Sequence, residues 1–166
     1  DYWYFDFDNP IITEAYGQLV AAYAAGGAAQ AAVQAQIICQ SGVADGSCAA
    51  SGIERINTFI INGPRLESDG VDFFLGYQSD AGMPFSLGLE GSYTLGNKVG
   101  DYYKGDVLIA AGEETAGYYN FNNTARPIPQ LRARAFATVG VTSELSLSAY
   151  VNHSDSVKDR RTNLPE

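Results

Sequence analysis

The 166 residues carry 19 acidic against 10 basic side chains, a net charge of −9, and only 17% of them are charged, against about 25% in an ordinary soluble domain. Nucleic-acid binding is excluded, because the nearest approaches to a basic footprint, Arg132 with Arg134 and the cluster Lys158, Arg160 and Arg161, are too small. No apolar run reaches the roughly 18 residues of a membrane-crossing helix, yet 46% of the chain is hydrophobic, so its apolar residues are dispersed.

The dispersal has a two-residue beat, the repeat of a strand whose side chains alternate between two faces. It begins at once, over Tyr2–Asp8, with Trp3, Phe5 and Phe7 against Tyr4, Asp6 and Asp8. A start inside a strand is expected of a piece of a longer protein. Asn9-Pro10 ends this strand, since proline lacks the ladder donor. The connection over about 9–56 is far longer than the usual four to six residues. Its Ala, Gln, Leu and Val run to about Gln40 favours helix, broken into two at Gly26-Gly27, with Thr13 as an N-cap.

Cys39 and Cys48 follow in a Ser/Gly/Ala-rich stretch. They are either unrelated thiols or a disulfide closing a small loop; their spacing fits no zinc pattern, and His153 is the sole histidine. The disulfide is favoured and implies an oxidising compartment.

Extended structure returns at 57–62, and Gly63-Pro64 kinks it. The next strand covers Asp69–Gln78, with Val71, Phe73, Leu75 and Tyr77 against Asp72, Phe74, Gly76 and Gln78. After a compact turn, Ser79–Pro84, comes the clearest run, Phe85–Gly96. Phe85, Leu87, Leu89, Tyr93 and Leu95 share one side; Ser86, Gly88, Glu90, Ser92 and Thr94 share the other. A second long connection covers about 97–129. A fourth strand, Leu131–Val141, sets Leu131, Ala133, Ala135, Ala137 and Val139 against Arg132, Arg134, Phe136 and Thr138. A turn at 142–144 leads to a fifth, Leu145–Asn152, and the polar remainder begins a further loop.

Long and short connections therefore alternate, which in an up-and-down antiparallel sheet gathers all long loops at one end. Outer-membrane barrels have this asymmetry. The fold expected is all-β: an antiparallel up-and-down transmembrane β-barrel segment of about five strands, one partial domain over 1–166, with long, partly helical outer loops.

In order and spacing, several segments resemble the C-terminal barrel of TonB-dependent outer-membrane receptors. They are the strand and loop at 1–11, the Gly70-Val71-Asp72 step after Asn62-Gly-Pro, the prolines 127 and 129 leading into Leu131–Arg134, and Ala149–Asn152. The resemblance implies a bacterial outer-membrane location and a 22-stranded barrel around an N-terminal plug. It also implies uptake of a siderophore, cobalamin, haem or oligosaccharide, driven indirectly through TonB. The implied partners are the rest of the barrel, the plug, the lipid bilayer and a small-molecule or metal-chelate ligand, without a cofactor. Five strands leave two open edges. The alternative is thus a structural or adhesive cell-surface protein assembling into fibres through strand pairing.

In the barrel reading Asp72, Glu90, Arg132, Arg134 and Asn152 face the lumen, lining a ligand route, meeting the plug, or simply being solvated. Tyr102, Tyr103, Tyr118, Tyr119, Phe121 and Asn122 lie in the second long loop. They would stack on a ligand, pack the loop on itself, or mark an interfacial belt. Neighbouring strand residues point apart, so Asn152-His153-Ser154 cannot converge as a triad. No catalytic or metal-ligating residues are assigned, and Asn122-Asn123-Thr124 is a coincidental glycosylation match.

Overall fold

A computed structural model describes residues 1–40, 48–119 and 128–159; Phe121, Asn122 and Thr124 lie outside them. The expected strands form one antiparallel meander in chain order: β1 (Tyr2–Phe7), β6 (Leu66–Ser79), β7 (Phe85–Val99), β12 (Leu131–Gly140) and β13 (Ser146–Ser154). Short turns join β6 to β7 and β12 to β13 at one end of the sheet. The long connections leave from the other end. The path is open: among the described residues β1 and β13 remain its two edges.

The first connection holds β2 (Ile11–Thr13), α1 (Tyr16–Ala25), α2 (Gly27–Val33), β3 (Ile37–Cys39), β4 (Ile53–Ile56) and β5 (Ile60–Asn62). Gly26, at φ +76°, separates the helices in a conformation that a Cβ would oppose. Thr13 does not cap α1. Its backbone is engaged with Ile60 in the β2–β5 pair, and the helix starts after Ala15 without a side-chain cap. Cys39 and Cys48 form the disulfide, and the Tyr23 hydroxyl on α1 donates to the Cys48 carbonyl at 2.6 Å. The second connection holds the hairpin β8 (Tyr102–Lys104) and β9 (Val107–Ala110), then β10 (Glu113–Glu114) against β7 and β11 (Tyr118–Tyr119). The last, parallel to β14 (Lys158–Asp159), brings the chain after β13 back to the second connection.

Cross-strand register decides which side chains share a face. On one face lie the rows Tyr2–Val71–Tyr93–Leu131, Leu75–Leu89–Ala135–Val151 and Tyr77–Leu87–Ala137–Ala149. On the other lie Asp72–Ser92–Arg132–Ser154 and Phe74–Glu90–Arg134–Asn152. The alternation read from the sequence thus holds across β6, β7, β12 and β13, but β1 departs from it. Trp3 pairs with Gly70 and Phe5 with Ser68, which places Trp3, Phe5 and Phe7 on the polar side. The apolar half of a two-residue beat therefore does not mark one face in every strand.

A bulge explains why β6 and β7 run beyond the expected boundaries. Gly70 pairs with Thr94 and Asp69 with Gly96, so Leu95 is an extra residue on β7. Beyond it the faces exchange partners: Gly96 and Lys98 continue the outer side, and pairing extends to Leu66–Val99. The simple alternation ends at the bulge while the ladder continues.

The buried apolar core lies outside this sheet. Leu19, Ala22, Tyr23, Val33 and Ile37 of the first connection pack with Tyr102 and Ile109 of the second. On the sheet's apolar face, by contrast, Val71 is 37% exposed, Leu87 49%, Leu147 59% and Leu75 66%.

Gly70 has no room for a side chain: a Cβ there would meet the Trp3 ring and come within 2.6 Å of the Tyr93 carbonyl oxygen. Gly70→Ala is expected to cost about 1–3 kcal/mol by overpacking, read as a lower denaturant midpoint with an unchanged slope. Replacing both Cys39 and Cys48 with Ala should remove about 2–3 kcal/mol of loop constraint. It should be visible as faster proteolysis within 16–56 while cleavage of β6 and β7 stays constant.

Candidate functional site

The polar face gathers all five residues expected to look inward. Asp72 on β6, Glu90 on β7, Arg132 and Arg134 on β12 and Asn152 on β13 line one open trough of about 920 Å³, with Ser92 and Ser154 between them. The acidic groups sit on the β6–β7 side and the guanidinium groups on the next strand. The charges are therefore separated across the trough rather than mixed along it.

Their commitments differ. Arg134 Nη1 lies 4.0 Å from Glu90 Oε1, with both side chains about half exposed, a geometry worth about 0–1 kcal/mol. Arg134 also stands 5.1 Å from the Tyr150 ring and 5.9 Å from the Phe136 ring, a cation–π setting. Asp72 accepts a hydrogen bond from Trp3 Nε1 at 3.2 Å. Phe136 shares the side of Arg132 and Arg134 as the alternation implies, whereas Trp3 was not expected beside these charges. Gly88 lies opposite Phe136, and a Cβ there would strike the ring, so the ring covers the bare backbone. His153 belongs to the opposite face from Asn152 and Ser154 by register, and its Nε2 lies 3.0 Å from Asp155 Oδ1. Among the described residues no three His, Cys, Asp or Glu side chains stand close enough to hold a metal.

The loop aromatics do not form one cluster. Tyr102, a candidate for ligand stacking or for packing the loop on itself, is buried in the core shared by the two connections, 7% exposed. Tyr103, its neighbour on β8, points outward, and its hydroxyl lies 3.3 Å from Asp101. Tyr118 and Tyr119 form β11, with Tyr119 exposed and paired to Asp159. Asn122 is outside the described residues. Alternation separates Tyr102 from Tyr103, just as it does on the longer strands.

Tyr102 leads to the residue that the sequence reading missed. Its hydroxyl donates to Glu14 Oε1 at 2.7 Å, and Lys104 Nζ approaches the same oxygen at 3.1 Å. Glu14 Oε2 accepts from Gln36 Nε2 at 2.6 Å and from the Phe59 amide at 2.9 Å. Lys104 also donates to Gln36 Oε1. The Glu14 side chain is 1% exposed. A signal was present: Glu14 is the sole charged residue between Asp8 and Asp45, and a lone charge in an apolar run demands a partner if it is buried.

Burial opposes the Glu14 charge, but the hydrogen bonds from Tyr102, Phe59, Lys104 and Gln36 outweigh it and hold the carboxyl below its ordinary value. Burial, then the bond to Glu14, pushes the Tyr102 phenol up, so it stays a donor. A lowered folded-state value stabilises the fold above the ordinary carboxylate pKa of about 4.3, and this contribution is lost as pH falls through the lowered value. Glu14→Gln should therefore destabilise the loops near neutral pH. The deficit relative to the native protein should shrink as pH is taken below about 4, as read from acid titrations of tyrosine fluorescence in both proteins.

Comparisons with models of known protein families, with curated proteins and with solved structures find no match.

Proposed function

We propose that this chain is a stretch of outer-membrane barrel wall from a TonB-dependent receptor, serving uptake of a siderophore, cobalamin, haem or oligosaccharide without catalytic chemistry. The observation that carries the wall reading is the location of the core. The buried hydrophobic cluster lies in the loops, while the apolar face of the sheet has no described protein against it and stays exposed from Val71 to Leu147. In a soluble sheet that face would be the core; in hydrocarbon it needs none.

The dimensions support the same reading. The apolar rows run from the level of Tyr2–Val71–Tyr93 to that of Phe85–Val139–Leu147. At about 3.4 Å per residue the stretch from Val71 to Ser79 rises about 27 Å along the strand. A tilt of about 40° reduces this to about 20 Å, near the roughly 25 Å apolar belt of such barrels. Tyr93 and Tyr2 stand at one rim, and the Tyr77–Phe85 ring pair, 5.7 Å between centroids, at the other. Above the first rim the same face turns charged: Arg65 bonds Asp6 at 2.8 Å through Nε and approaches Glu67 at 3.0 Å, with Lys98 opposite Glu67.

On this reading the trough lines the lumen and the long connections form the outer mouth. The remaining barrel strands close the two edges, a plug fills the interior, and the TonB system acts on that plug rather than on this stretch. The receptor family rests on the order of the sequence motifs, and the wall on the two faces of the sheet.

The test is site-directed nitroxide labelling of the full-length protein in native outer membranes. Labels at Leu75→Cys, Leu89→Cys and Leu147→Cys are expected to collide with oxygen dissolved in lipid, while Ser92→Cys and Asn152→Cys collide with a water-soluble nickel chelate. Apolar-face labels shielded from both reagents would overturn the wall reading. Close spin–spin contact between apolar faces in fibrillar particles would establish the adhesive alternative. Loss of ligand uptake on collapsing the proton gradient tests the TonB-dependent part separately.

A further inference from the structure

We infer that the described parts of the two long connections, 10–40 with 48–65 and 100–119, form a single cooperative unit held by Glu14 as a latch, and that they open together rather than as independent flaps. The inference rests on contacts within the described chain and stands whether or not the sheet is a barrel wall.

Two independent features couple them. The first is polar. Glu14 comes from the first connection and draws one hydrogen bond from a side chain of that connection, Gln36, and another from the Phe59 amide. The other two groups, the Tyr102 hydroxyl and the Lys104 ammonium, belong to the second connection. Withdrawing the second connection would leave a carboxylate at 1% exposure without Lys104, its one cation among the described residues, and with two of the four donors named here gone. Breaking a buried charge pair on one side is among the costliest local changes a fold can suffer.

The second feature is apolar. Tyr102 and Ile109 of the β8–β9 hairpin complete a cluster whose other members, Leu19, Ala22, Tyr23, Val33 and Ile37, come from α1, α2 and β3. Neither connection buries this surface alone. Each is also fixed at its base, the first through the Pro10 carbonyl, which accepts from the Gly63 amide at 2.7 Å, and the second through Thr115. The Thr115 amide and hydroxyl both donate to the Asn97 carbonyl, at 2.7 and 2.8 Å. The latch therefore joins two arms, the first closed on itself at its base and the second tied to β7.

Hydrogen exchange on the full-length protein, read by mass spectrometry for peptides over 16–33 and 102–110, tests this. Glu14→Gln is expected to accelerate exchange in both segments by the same factor, at least about tenfold, with 71–79 unchanged. Tyr102→Phe keeps the ring in the core and removes only the hydroxyl, so it reads the same coupling, with a smaller equal acceleration, should Glu14→Gln fail to assemble. In a Glu14→Gln and Lys104→Met cycle the two effects should be strongly non-additive. Acceleration confined to one segment, no acceleration, or additive effects would each overturn the latch.

Discussion

Among the described residues the five-stranded sheet has no buried apolar core of its own, and everything else about the chain depends on what that implies. Its strands are joined by antiparallel ladders from Leu66–Val99 down to Gly140–Ser146, so the backbone groups between strands are satisfied. Those ladders alone do not set a free energy, because hydrogen bonds exchanged with water contribute little net. In a water-soluble sheet the decisive contribution comes from burying one face. Here Val71, Leu75, Leu87 and Leu147 remain open to the surroundings, so the stability of the sheet is set by the medium or partner that covers them.

The loops follow a different rule. They carry the buried hydrophobic cluster, a disulfide, and a carboxylate bonded from four directions. This is the construction of a small water-exposed unit, in which a modest core is supplemented by a covalent link. Glu14 is costly to bury and useful for that reason: its position is acceptable only when Gln36, Phe59, Tyr102 and Lys104 are all in place. Such a group specifies one arrangement of the two connections and penalises every partial one. Position along the chain separates the two regimes, sheet and loops, at Asn9-Pro10 and at Gly100.

The parts of this design differ in how readable they are from sequence. The strands of the sheet and the placing of Asp72, Glu90, Arg132, Arg134 and Asn152 on a common side follow from the two-residue beat, which is local and period-exact. The side taken by Trp3, Phe5 and Phe7 does not follow, because it depends on pairing with Gly70 and Ser68 more than sixty residues away. The bulge at Leu95 is equally silent, since Tyr93-Thr94-Leu95 continues the alternation that the ladder abandons. The fate of Tyr102 was hidden for a similar reason. Its partner Glu14 is 88 residues distant, and the choice between stacking on a ligand and packing inward stays open until that partner is known. Thr13 failed as a cap because α1 begins two residues later than the composition suggests, with the Ala15 carbonyl accepting from the Gln18 and Leu19 amides.

The edges and the limits of the apolar band together bear on how the sheet is completed. β1 and β13 close neither side, and nothing on β13 blunts it: Ser146–Ser154 contains no lysine, proline or carboxylate. Sheets that end in water guard such strands, so an unguarded β13 favours continuation of the sheet at that edge, while β1 carries Asp6. Continuation into a barrel and continuation into a fibre both meet that requirement. They differ in what the apolar face should look like. A dry interface between stacked fibre sheets favours apolar residues along the full length of each strand. A bilayer favours them only over its own thickness, with aromatic residues at the rims and charges beyond. Along β6 the outer face passes from Glu67 and Asp69, through Val71, Phe73 and Leu75, to Tyr77 and Ser79. The Arg65–Asp6–Glu67 ion pairs stand just beyond one end of that run. A band bounded in this way fits a slab of finite thickness better than an unlimited dry seam, which supports the proposed barrel wall over a fibre.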